Sequence, residues 1–432
     1  MRKPVHHIGR ANLHFQCKFA HNGPVMSERY IIRALEHVLA KAVQDFPAIL
    51  LTGPRQSGKT TLLRHMFEGS HRYVTLETPD IRAAALADPR GFLSAYPPPV
   101  IMDEVQNAPE LLPYIKERID AHRAERGQYL LTGSQNLLLM EGVTESLAGR
   151  VAVLRLLPLS MREAAGRFDM PLPWETVPSV QERRPRDSEG LWSSLLRGGY
   201  PELAGQPDRD ATLWHSSYVQ TYLERDVRSL RQIGDLSSFQ SFIRALAARN
   251  GQLLKLSELS RDLGISVNTA KAWLSVLEAS FQVLVLRPYF ANVGKRLVRT
   301  PKVYFTDTGT LCYLAGLREP SHAAAGPLGG AIFETAVLME VVKTLAHRGE
   351  EPTVYFWRTS SGMEVDLIVA VRSRLVPVEI KLSATPRPTM ARGIAAFRDA
   401  LGDTATPGYV IHPGDVLLPL AAGVTALPFS AL

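Results

Sequence analysis

Residues 48–61 read Ala48-Ile49-Leu50-Leu51-Thr52-Gly53-Pro54-Arg55-Gln56-Ser57-Gly58-Lys59-Thr60-Thr61. A short apolar run enters an octet with the spacing G-x-x-x-x-G-K-[ST], and a helical pattern, Thr61-Leu62-Leu63-Arg64-His65-Met66-Phe67, opens directly behind it. Strand, glycine loop, helix is the order a phosphate cradle demands. Backbone N–H groups of the loop and the helix N-terminus converge on an anion, Lys59 reaches the β- and γ-oxygens of ATP, and Thr60 ligates Mg²⁺. The expected nucleotide-binding residues are Gly53, Pro54, Arg55, Gln56, Ser57, Gly58, Lys59, Thr60 and Thr61.

Outward from this loop, buried strands are expected at 48–52, 73–76, 100–102, 129–131 and 151–154, with helical patterns between them. That alternation predicts a βαβ series and a parallel sheet. An amphipathic helix is expected from a Ser27 cap, with Ile31, Ile32, Leu35, Val38, Leu39 and Ala42 on one face. The strand at 100–102 ends in Asp103-Glu104. Asp103 is suited to hold Mg²⁺ and Glu104 to polarise the attacking water. The strand at 129–131 runs into Thr132-Gly133-Ser134-Gln135, where Ser134 is the better placed to sense the γ-phosphate and Gln135 or Thr132 are alternatives.

These stretches, FPAILLTGPRQSGKTTLLR (46–64), IMDEVQNAPELLPYIK (101–116), YLLTGSQNLLL (129–139) and SLAGRVAVLRLLPLSMRE (146–163), continue into RGGYPEL (197–203), YLERDV (222–227), VYFTDTG (303–309) and VDLIVA…PVEIKLS (365–383). Together they resemble the AAA+-type prokaryotic ATPases that carry a C-terminal nuclease-like domain of unassigned function. The resemblance implies a homo-oligomer, with a hexameric ring as one form, in which an arginine completes the neighbour's ATP site. Arg150 holds that place, and its alternatives are a strand-start salt bridge for Arg150 or the finger role for Arg225.

The expected α/β organisation has five parts: a leader at 1–27, a P-loop AAA+ core at 28–165, a linker and helical lid at 166–237, a winged helix at 238–320, and a PD-(D/E)XK-like domain at 321–432. Residues 256–274 read as helix, Gly264 turn, helix. The basic positions Lys271, Lys295, Arg296, Arg299 and Lys302 are the expected DNA contacts, arranged for phosphates more than for base readout. Glu364-Val365-Asp366 and Glu379-Ile380-Lys381 resemble the PD-(D/E)XK nuclease core. That likeness implies Mg²⁺ on Asp366 and Glu379, Lys381 supporting the attacking water, and Glu334 completing the shell. Many such folds are inactive, with their acids in ion pairs.

Composition narrows the classes. A net charge of +7 suits a polyanionic partner. No apolar run approaches the ~18 residues of a membrane helix, and two cysteines, Cys17 and Cys312, make neither a disulfide framework nor a four-ligand zinc site. A cytoplasmic protein is expected. The leader contains Arg2, Lys3, Arg10 and Lys18 and no acid, but lacks the pattern of a targeting segment. Two functions fit: an ATP-driven machine that translocates or remodels DNA, or an ATP-operated switch that contacts protein.

Overall fold

The computed structural model describes residues 30–133, 143, 145–176, 188–223, 236–290 and 298–432; the expected leader lies outside them. Five strands, β1 (Ala48–Thr52), β2 (Arg72–Thr75), β3 (Val100–Asp103), β4 (Tyr129–Gly133) and β5 (Val151–Arg155), form one sheet in the order β2-β3-β4-β1-β5, and every pairing is parallel. The expected strands are all present within a residue or two. Every residue of β1 is buried, because helices cover both faces. Ala48 and Leu50 pack with Met102, Leu131 and Ile115 on one side, whereas Ile49 and Leu51 pack with Leu35, Leu39 and Leu62 on the other. Parallel strands bring the ends of β1, β3 and β4 to one edge, so Thr52, Asp103 and Thr132 are neighbours there.

The first helix departs from expectation. It spans Leu35–Asp45, and Ile32 is 51% exposed. Beside its start, the Glu36 carboxylate accepts from the Arg33 N–H (2.9 Å) and the Tyr30 hydroxyl (2.7 Å); the expected Ser27 cap lies outside the described residues. The expected linker is also more structured at its beginning. Leu172 is buried, Tyr409 donates to the Pro173 carbonyl (3.1 Å), and Arg348 pairs with Glu175 (2.9 Å). A leucine and a tryptophan among the prolines give that stretch something to bury.

The middle region carries the helix–turn–helix, Leu256–Asp262 and Val267–Ala279, around Gly264 at φ +66°, where a glycine avoids left-handed strain. Ser266 caps the second helix by accepting from the Thr269 N–H (3.0 Å). The short strands β6 (Val283–Leu286) and β7 (Lys302–Phe305) then pair antiparallel. The C-terminal strands β8 (Val354–Arg358), β9 (Glu364–Val371), β10 (Arg374–Ile380), β11 (Gly408–His412), β12 (Leu418–Ala421) and β13 (Val424–Pro428) make a mixed sheet in the order β12-β13-β11-β10-β9-β8. The Ala/Gly-rich stretch around 321–331 is helical, as Pro320–Ala325 and the start of Gly329–His347. A single apolar cluster runs from Phe239, Phe242 and Trp273 through Phe333 and Val342 to Leu367 and Val378, so the middle and C-terminal regions share one core. No helix among the described residues is long and apolar enough to cross a membrane.

Helix Gly329–His347 is buried on nearly every side and fastens this core to the ATPase sheet. Glu340 accepts from the Met161 and Arg162 N–H groups (2.7 and 2.9 Å), capping helix Met161–Ala164 from another part of the chain. Lys343 donates to the Leu159 carbonyl (3.1 Å). At the helix end, His347 Nε2 accepts from the Leu157 N–H (3.1 Å) and Nδ1 faces Glu163 at 2.9 Å. Burial holds His347 below its usual pKa, and an Nε2 that accepts requires the neutral ring with its proton on Nδ1.

Glu163 is the hub. Arg33 Nε donates to it (3.1 Å), while the same guanidinium donates through Nη1 to the Ser57 carbonyl (2.9 Å) and through Nη2 to the Leu157 carbonyl (2.7 Å). Burial opposes ionisation of Glu163, but Arg33 and His347 overcome it and hold the carboxyl well below the usual range. Removing one partner of such a pair strands a buried charge, at a cost of about 3–5 kcal/mol. Glu163→Ala is therefore expected to lose about that much stability in urea unfolding at pH 7. Because the folded pKa is depressed, the penalty is full above the unfolded carboxylate pKa of ~4.3 and shrinks as the pH falls below it. A loss of under about 1 kcal/mol at pH 7 would contradict the assignment.

Candidate functional site

The loop between β1 and helix Lys59–Phe67 takes its shape from three left-handed residues, Gly53 (φ +147°), Gln56 (φ +58°) and Gly58 (φ +92°). Gly53 is required sterically, since a Cβ there would stand 2.0 Å from the Leu156 carbonyl oxygen. Lys59 is buried and donates to the carbonyls of Gly53 (3.1 Å) and Pro54 (2.9 Å). Ser57 is fully buried, and among the described residues its Oγ has no hydrogen-bond partner. Arg55, Gly58 and Thr60 are half-buried, Pro54 is buried, and Gln56 and Thr61 are exposed. Arg33 braces the loop from below through the Ser57 carbonyl.

The second half of the site meets the first directly. Thr60 Oγ1 donates to Asp103 Oδ1 at 2.8 Å, joining the loop helix to the end of β3. Tyr73 donates to Asp103 Oδ2 (3.0 Å), and burial together with that carboxylate pushes its phenol up to about 12. Thr132 Oγ1 donates to Asp103 and accepts from the Glu104 N–H (3.1 Å). Glu104 follows in a left-handed conformation (φ +58°) and hydrogen-bonds Gln106. A hydroxyl and a carboxylate in contact at the mouth of a phosphate loop form a hard-oxygen set that fits Mg²⁺, and the unpartnered Ser57 hydroxyl fits a loop shaped for phosphate. Ser134, Gln135 and Arg225 lie outside the described residues, whereas Thr132, one of the alternatives, sits between the two acids. Arg150 makes a bidentate pair with Asp120 (2.7 and 3.0 Å), the salt bridge that was its alternative reading.

Sequence reasoning missed Arg33 and Tyr73. Arg33 stands 24 residues from Ser57 and 130 from Glu163, and no local pattern encodes such a contact. It also missed the function of RGGYPEL. Gly199 N–H donates to buried Asp307 (2.7 Å), its carbonyl accepts from the Leu159 N–H (2.7 Å), and Pro201 packs 3.6 Å from where a Cβ on Gly58 would be. This turn therefore wedges between the phosphate loop and the TDTG turn.

The C-terminal acids also assemble. Asp366 on β9 accepts from the Ile380 N–H (2.8 Å) and from Lys381 (3.3 Å), while Lys381 pairs with Glu379 (2.6 Å). Burial and Asp366 push both Glu334 and Glu379 above the ordinary carboxylate range. Lys302 corrects one expectation. It is buried, not displayed on a basic hairpin, and its Nζ lies 3.1 Å from Glu334 and 2.7 Å from Glu364. The reason is register: Lys302 and Tyr304 alternate onto the face of β7 that looks toward Glu334. Glu364 was missed as a member, although its i+2 spacing from Asp366 on one strand marks it. Of the other expected DNA contacts, Lys271 and Arg299 are exposed, and Lys295 and Arg296 lie outside the described residues.

Residues 45–165 match an AAA domain family, residues 188–321 a domain of unknown function (DUF8612), and residues 329–432 another domain of unknown function (DUF4143). Uncharacterised proteins of Mycobacterium tuberculosis (Rv2008c) and Mycobacterium bovis (Mb2031c) are each 33% identical to this chain over 392 residues, covering 90% of this chain and 82% of the relative. The solved Walker-type ATPase PABY2304 of Pyrococcus abyssi is similar at 18% identity and a TM-score of 0.44, over 65% of this chain and 94% of that one. The chain thus belongs to the family of these mycobacterial proteins, and it carries an AAA-type P-loop ATPase domain followed by two domains of unknown function.

Proposed function

We propose that this chain hydrolyses ATP and couples the cycle to translocation or remodelling of DNA, as a homo-oligomer. The observation that carries the ATPase reading is the contact of Thr60 with Asp103, with Glu104 next in the chain. Lys59 and the loop amides bind the phosphates, and Glu104 orients the attacking water. Thr60 and Asp103 would hold Mg²⁺, which would supply charge neutralisation for the phosphates. Arg150 completes the neighbouring subunit's site after exchanging its bidentate pair with Asp120 for the nucleotide. DNA lies along the start of helix Val267–Ala279, where Lys271 is exposed, and along the 295–299 segment with Lys295, Arg296 and Arg299.

A second reading, an ATP-operated switch that contacts protein, is favoured by the chain Ser57, Arg33, Glu163, His347. It gives the phosphate loop a mechanical route to the C-terminal core without any nucleic acid.

The ATP site is tested by substitution. Lys59→Ala is expected to lose nucleotide affinity, whereas Glu104→Gln keeps ATP bound and barely turns it over; parent-like turnover in Glu104→Gln would remove Glu104 from the mechanism. Arg150→Ala should bind ATP but lose hydrolysis, since such arginines contribute on the order of 10³–10⁵, while Asp120→Asn stays active. Equal behaviour of those two variants would leave only a salt bridge.

The choice between the readings falls to ATPase rates with duplex, single-stranded and branched DNA. Stimulation is expected. Lys271→Ala with Arg299→Ala should lower the log K against log salt slope by up to ~0.9 per lost duplex contact. An ATPase indifferent to every DNA form would replace the first reading with the second.

A further inference from the structure

The likeness to nuclease cores implies a divalent cation among Glu334, Asp366 and Glu379. Their arrangement does not fit one. Each acid in this cluster already faces a cation of the protein itself: Lys302 lies 3.1 Å from Glu334 and 2.7 Å from Glu364, Arg358 lies 2.9 Å from Glu364, and Lys381 lies 2.6 Å from Glu379 and 3.3 Å from Asp366. Among the described residues, no three His, Cys, Asp or Glu side chains converge in a way that would hold a metal ion.

Lys302 is the telling member. Its side chain is only 6% exposed, and a long, strongly hydrated ammonium is buried at that depth only where acids compensate it. It does not come from the C-terminal sheet. It arrives on β7, whose other partner is β6, so the docking of the middle region delivers the charge. Tyr304, two residues on, donates to the same Glu334 and fixes the approach.

We propose that Lys302 is the resident cation of this carboxylate site: the middle region seats an ammonium where a nuclease would hold its metal, so the site is closed to divalent ions while β7 is docked. The closure is electrostatic and not a matter of access. A cleft of about 490 Å³, lined by Lys255, Lys302, Arg358, Glu334, Glu364 and Asp366, opens onto three of these acids. An ion can reach them and meets carboxylates already neutralised.

The experiment titrates Mn²⁺ into nucleotide-free full-length protein and follows free Mn²⁺ by electron paramagnetic resonance, with melting temperature as a second readout. Asp366→Asn controls attribute any binding to this cluster and separate it from the ATP site. The parent is expected to show no Mn²⁺ binding that depends on Asp366 up to millimolar ion. Lys302→Met should gain one Mn²⁺ at least about ten-fold tighter than any parent site, lose it when Asp366→Asn is added, and recover melting temperature with Mn²⁺. Lys302→Arg keeps the charge and should stay metal-free. Asp366-dependent Mn²⁺ binding by the parent overturns the proposal, and that measurement does not depend on any variant of Lys302 folding. A folded Lys302→Met protein that binds no additional Mn²⁺ overturns it equally. None of these outcomes bears on ATP hydrolysis, so the ATPase reading stands or falls separately.

Discussion

The buried contact between Arg33 and Glu163 holds the two halves of this molecule in one arrangement. Both side chains are withdrawn from water, and neither charge is tolerable there alone. The guanidinium spends its remaining donors on two carbonyls, one in the phosphate loop and one just beyond β5. The carboxylate accepts from the Ser160 and Ala34 N–H groups and lies against His347 Nδ1 as well. Each element in this list is thereby fixed relative to the others: the loop, the first helix, the short helix after β5, and the end of the long C-terminal helix. Hydrophobic packing alone would allow these surfaces to slide, whereas a saturated polar hub fixes their register.

The same helix, Gly329–His347, carries Glu334 near its start and Glu340, Lys343 and His347 toward its end. Its apolar surface belongs to the large shared core, and its polar groups are spent at the two ends on different tasks. Arg33 and Glu163 connect the phosphate loop to His347 at one end of the helix, and Glu334 places the other end in the carboxylate cluster. The cluster is in turn joined to the middle region by Lys302. Nucleotide site, long helix, acids and β7 are therefore linked in series by buried polar contacts, beside the apolar core that the middle and C-terminal regions share.

Much of this was legible in the sequence because it is local. The loop octet, the five sheet strands and the Asp103-Glu104 pair each announce themselves within a few residues through periodicity and spacing. The acids Glu334, Asp366 and Glu379 were legible through resemblance, and they do assemble. Contacts between distant segments were not legible. Arg33 looks like any charged residue before a helix, and Lys302 looks like one more cation in a basic stretch. Its burial follows from a strand register that puts Lys302 and Tyr304 on the inner face, a choice that one-residue slippage would reverse. The helix also starts later than its apolar spacing suggests: residues 31–34 are not helical, and the Arg33 N–H is taken by Glu36.

If Glu163 joins them, the phosphate loop and the C-terminal helix respond to nucleotide as one unit, and hydrogen–deuterium exchange on Glu104→Gln protein with and without ATP and Mg²⁺ shows whether they do. ATP is then expected to change protection in the loop and also in residues 154–166 and 337–347, with Glu163→Ala in the same background abolishing the distant change and leaving the loop's response. Protection changes confined to residues 48–67 and 100–107 with Glu163 intact would mean that the two parts respond separately.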